Sequence, residues 1–129
     1  AAEHAAIYVY GVLGGQASRS TAPALAAALG EAYAAHRARR DQLVAEPTSS
    51  EAEPVASAPA YELPARLRTR HQVETAALDL ERGCATTYAA LVANSRTVWR
   101  RWAIGALTEA AVRELAFGGT AETLPGIDA

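Results

Sequence analysis

YAAHRARRDQL, residues 33–43, sets one histidine among arginines in a run that reads as helix. Alanine, leucine, arginine and glutamine all favour that state, and nothing in the run breaks the hydrogen-bond ladder. An α-helix advances about 100° per residue. On that wheel Leu25, Leu29, Ala32 and Leu43 share one face, with His36 at its middle and Arg40 one turn further on. Both polar side chains are expected to point inward. What His36 meets there decides how the rest of the chain is read.

Outward from this helix, three breaks separate four helical patterns. The first is QASRSTAP, where Ser20 or Thr21 is suited to cap the second helix and Pro23 falls in its first turn. The second is PTSSEAEPVASAPAYEL, residues 47–63, a Pro-rich connector without periodicity that ends at Pro64, an expected helix start. The third is NSRT at 94–97, where Ser95 is the expected cap of the last helix. That helix should stop at Gly118-Gly119, leaving residues 118–129 as a loose tail. Helices are thus expected at about 1–16, 21–46, 64–93 and 96–117, and no strand pattern competes. Two short connections and one long crossover between the second and third helices predict an all-α four-helix bundle of the ferritin-like kind, with an up-down-up-down bundle as the alternative. All 129 residues would form a single domain.

Composition agrees with helix and narrows the function classes. Half of the residues are hydrophobic, with alanine dominant, and only 6% are aromatic. All twelve basic residues are arginine, which looks like the coding bias of a GC-rich genome. A net charge of -2 supplies no electrostatic field for nucleic acid. No apolar run reaches membrane-span length, and the N-terminus lacks a basic region followed by an apolar one. The chain starts at alanine, not methionine, which leaves room for a removed segment. A lone cysteine, Cys84, makes no intrachain disulfide and reads as a small buried residue, so a cytoplasmic location is expected.

Polar residues inside apolar arcs carry the functional question. On the third helix Val73, Ala77, Leu80, Cys84, Tyr88, Leu91 and Val92 form the arc, and Glu74 and Glu81 lie within it. On the first, Glu3 shares a side with Ala6, Ile7 and Tyr10, whereas His4 points away. Burying an unpaired charge is costly, so Glu3, His36, Arg40, Glu74 and Glu81 are expected to find one another or a metal. A di-iron bundle needs Glu-x-x-His on two helices. Here Tyr33 stands three residues before His36, and the last helix has no histidine. A weaker alternative is a single transition-metal ion on Glu3, His36 and Glu81. Arg40 argues against it, because a fixed cation opposes a metal and can satisfy the carboxylates itself.

AAEHAAIYVYGVLGG, YAAHRARRDQL, a Pro-rich connector ending YELP, and LERGCATTYAALV together resemble an Ala-rich actinobacterial family of ferritin-like domains of unknown function. The resemblance covers nearly the whole chain. Its most specific element pairs an EHAA-type first helix with an AHRARRD-type second, matched here by Glu3, His36, Arg40 and Asp41. It implies a four-helix ferritin-like fold and no known activity.

The remaining motifs have bland readings. VYGVLGGQ lacks the strand and Gly-Lys-Ser/Thr ending of a phosphate loop. RTVWRRWAIGAL puts arginines beside Trp99 and Trp102, but Arg96, Arg100 and Arg101 do not share a face, so nucleic acid is not expected. Trp99, Trp102, Ala106 and Phe117 form a second apolar stripe, away from Ile104, Ala111 and Leu115, which suit the bundle core. That second stripe would pack under the connector, or Trp99, Trp102 and Phe117 would form a homodimer surface. Three function classes follow. The leading one is a non-catalytic bundle acting by binding or assembly, without a cofactor and with no catalytic residues. The second is a metal-dependent oxidoreductase with a degenerate site. The third is a binder of an unknown small molecule in a cavity lined by Tyr10, Tyr33 and Tyr88 beside His36.

Overall fold

The computed structural model describes residues 1–46, 61–63 and 66–127. Among the described residues there are four helices and no strand: α1 (Ala2–Gln16), α2 (Pro23–Ala45), α3 (Arg70–Asn94) and α4 (Thr97–Ala116). The chain divides into two compact units, Ala1–Arg68 and Thr69–Ala129. Each is built on one helical hairpin. Of the connector expected at 47–63 only Tyr61–Leu63 is described, so the crossover and the helix start at Pro64 lie outside the described residues.

In the first unit, Glu3 at the start of α1 reaches His36, while Gly11 further along α1 faces Tyr33, earlier on α2. That order requires the two helices to run in opposite directions. Ala6, Val9, Tyr10 and Leu13 repeat at three- and four-residue intervals and are buried, as are Leu25, Leu29 and Ala32 on α2. Each such leucine contributes about 1.5–3 kcal/mol by leaving water. Ser20 and Thr21 do not cap α2. Its cap is Ala22, without a side-chain bond, and Pro23 opens the helix with its fixed φ. Ser18 turns the chain instead, accepting from the Thr21 N–H at its Oγ (3.3 Å) and from the Ala22 N–H at its carbonyl (2.8 Å). Tyr61 returns to α1, its ring centroid 5.7 Å from that of Tyr8.

In the second unit α3 starts at Arg70, later than the expected 64. Residues 66–68 are not helical, and Thr69 and Gln72 form a reciprocal capping box at the start of α3, each side chain accepting from the other's backbone N–H. Ser95 ends α3 rather than capping α4, which begins after Arg96 with Thr97 at φ 48°. That value is a tight fit for a β-branched residue, and it follows from turning the chain within two residues. Arg100 Nε donates to the Val92 carbonyl at 3.0 Å and ties the hairpin together just beyond the turn. Glu81 opposite Arg113 and Tyr88 opposite Trp102 establish the antiparallel run.

The inner face of α4 reverses the expected one. Ala103, Ala106, Ala110, Glu114 and Phe117 are buried, while Ile104 and Leu115, expected in the core, are 49% and 48% exposed. Alanines on the covered side let helix axes approach closely, and bulk is then supplied by Tyr88 and Phe117. On α3 the buried arc of Val73, Ala77, Cys84 and Tyr88 is as expected, whereas Leu80, Leu91 and Val92 are only half-buried. Helix α4 ends where expected. Gly118 takes φ 85° and the Gly119 N–H donates to the Glu114 carbonyl at 2.8 Å. The segment that follows lies against α3, where Gly126 (φ 76°) is so close to Ala85 that a Cβ would stand 2.4 Å from its carbonyl oxygen.

Candidate functional site

The first unit buries a polar pair. His36 is fully buried on α2, and its Nδ1 lies 2.7 Å from Oε2 of Glu3 in the first turn of α1. Tyr10, two turns along α1, stacks on the imidazole with ring centroids 5.5 Å apart. A carboxyl group on one ring nitrogen and a ring against one face fix the orientation of the histidine. Arg39 is the buried arginine of this helix, at 5% exposure.

The second unit buries a charged pair. Glu81, fully buried on α3, accepts from Arg113 Nε of α4 at 2.8 Å. One residue on along each helix, Glu114 is also buried, its Oε2 3.8 Å from Arg82 Nε. Its Oε1 has no hydrogen-bond partner among the described residues. Burial pushes the Glu114 carboxyl above the usual glutamate range, Glu122 and Glu81 push the same way, and Arg82 opposes them.

Beside Glu114, a cleft of about 320 Å³ opens between α4 and the C-terminal segment. Leu107, Ala111 and Leu115 form one wall, with Thr120, Glu122 and Pro125 opposite.

A family model described as a domain of unknown function, DUF4439, matches residues 1–129. The chain belongs to that family. No curated protein and no solved structure matches it.

Within this DUF4439 domain, the residues singled out in sequence divide unevenly. Glu3, His36 and Glu81 are buried. Arg40 is not: it bonds the adjacent Asp41 at 2.7 Å, near the surface, while its neighbour Arg39 turns inward. One position is a 100° error on the wheel, and the long arginine stem lets either residue follow the apolar surface. Glu74 is half-buried and pairs with Arg70 one turn back on its own helix at 2.7 Å. Among the described residues, no three His, Cys, Asp or Glu side chains gather as a metal site requires. Tyr10 and Tyr88 are buried, Tyr33 carries Arg37 over its ring, and none of the three lines the cleft. Of the residues expected at a partner surface, Phe117 is buried, and Trp102 packs edge-on against both Tyr88 and Trp99.

Sequence reasoning missed Arg113 and Glu114. On the wheel both fall with Ala103, Ala106 and Ala110, a face whose small side chains were outweighed by the larger Ile104 and Leu115 opposite. A run of alanines lying between two tryptophans and a phenylalanine was the available signal. No helix of this DUF4439 domain among the described residues is long and apolar enough to cross a membrane.

Proposed function

We propose that this domain is a ferritin-like bundle that acts by binding rather than by chemistry, with protein donors where a metal-dependent relative would present open ligands. The observation that carries this reading is the pairing of the buried carboxylates. Glu81 is held by Arg113 at 2.8 Å and Glu3 by His36 at 2.7 Å. A guanidinium keeps its charge at any working pH, so an ion on Glu81 would have to displace Arg113 or sit against a fixed cation. The helical hairpins and the inward Glu3 and His36 support the ferritin-like part of the reading. The polar pairs hold helix register, since sliding either hairpin by one turn would strand a buried carboxylate. Elemental analysis of protein purified without chelator tests the proposal. Metal well below one equivalent per chain is the expected result, and stoichiometric iron, manganese or zinc would overturn it.

A further inference from the structure

The cleft beside α4 has a chemical character of its own. Its walls are mostly aliphatic, from Leu107, Ala111, Val112 and Leu115 on α4 and Pro125 opposite, and its two ionisable residues, Glu114 and Glu122, are both acidic. The wall opposite α4 is held in place at both ends. Gly119 is bonded to the Glu114 carbonyl, and Gly126 is seated on the backbone of α3 at Ala85.

Glu114 is the second, independent observation. It is 2% exposed, its Oε1 takes no hydrogen bond among the described residues, and its nearest cation, Arg82, lies beyond hydrogen-bond distance at 3.8 Å. A buried carboxyl oxygen without a donor is costly, and a second carboxyl nearby raises that cost. Both costs would be relieved by a donor carrying positive charge. An anion would meet two repelling groups, and a neutral apolar molecule would leave Oε1 as it is.

We propose that this cleft binds a small organic cation, a protonated amine on an aliphatic or aromatic body, with the ammonium between Glu114 and Glu122 and the carbon body on the α4 wall. A volume of about 320 Å³ is at the small end for ligand sites, which limits the body to a short chain or a single ring. The charged groups that act on Glu114 are Glu122 across the cleft and Arg82 and Glu81 on α3. Because burial and Glu122 favour the protonated carboxyl, an arriving ammonium releases that proton, so the amine binds more tightly as pH rises. The inference rests on reading the domain as a binder, but its test is independent of the metal analysis.

The test uses the full chain with hexylamine as probe, and hexanol and hexanoate as controls of equal length. Amide chemical shifts report the site and calorimetry the affinity. Hexylamine should move the amides of Leu107–Leu115 and Thr120–Leu124, bind at least about tenfold more tightly than hexanol, and lose about tenfold in Glu122→Gln. Glu114→Gln, nearly isosteric, keeps the helix while removing the charge and should lose at least as much. Hexanol matching hexylamine, unchanged amine affinity in Glu122→Gln, or the absence of any shift at these amides would each overturn the proposal. Thermal melts of both variants, run alongside, confirm that the fold is intact.

Discussion

Replacing Arg113 with alanine isolates the buried pair of the second unit. Glu81 is fully buried and accepts from Arg113 Nε at 2.8 Å, so truncation leaves a carboxylate in an apolar interior with a donor removed. Removing one member of a buried pair costs about 3–5 kcal/mol, most of it from stranding the other charge. Glu81 has further contacts, and the Arg113 side chain keeps 15% exposure through which water can reach the gap. Both place the expected loss near the lower end, about 3 kcal/mol. The second contact of Arg113, to Glu109 at 3.9 Å, adds little because the Glu109 side chain is 63% exposed. For a chain of this size that loss lowers Tm by roughly 10 °C. Urea unfolding followed by circular dichroism measures it directly. Glu81→Leu combined with Arg113→Leu removes both charges and should recover to within about 1–2 kcal/mol of wild type. The reasoning fails if Arg113→Ala lies within about 1 kcal/mol of wild type, or if the double variant loses as much as the single one.

Three further outcomes follow from the same contacts. Arg40→Ala removes only an exposed contact with Asp41 and should change stability by less than about 0.5 kcal/mol, a contrast with Arg113→Ala that melts will show. Gly126→Ala puts a Cβ 2.4 Å from the Ala85 carbonyl at a φ of 76°, so it should cost at least about 2 kcal/mol and speed hydrogen exchange in the terminal segment. Glu114 carries a folded pKa above its unfolded one, so the folded state binds the extra proton. Its contribution is therefore most favourable at low pH and is lost as pH rises from the usual glutamate range through the raised value. Glu114→Gln should gain on wild type across that rise. A stability difference that stays flat with pH would show that burial does not act on this carboxyl.

Helix periodicity located Glu3, His36 and Glu81 because each lies well inside an apolar arc, where an error of one position still leaves it covered. Arg40 and Glu74 sit at arc edges, and there a long side chain turns to whichever partner is near, Asp41 or Arg70. The wheel for α4 has two apolar sides of similar weight, and side-chain size favours Ile104 and Leu115 as the inner one. The structure buries the alanines instead, since close helix approach rewards small side chains.

Sequence alone determined that the chain is helical, where α1, α2 and α4 stop, and that Glu3, His36 and Glu81 lie inward, because propensity, glycine stops and apolar period are properties of neighbouring residues. Only tertiary structure decided that Arg113 rather than Arg40 answers a buried glutamate, that α4 turns its alanines rather than Ile104 and Leu115 inward, and that the C-terminal segment closes a cleft over Glu114. Each of these depends on which side chain another element brings within a few ångströms. That distance is set by packing, and spacing along the chain does not contain it.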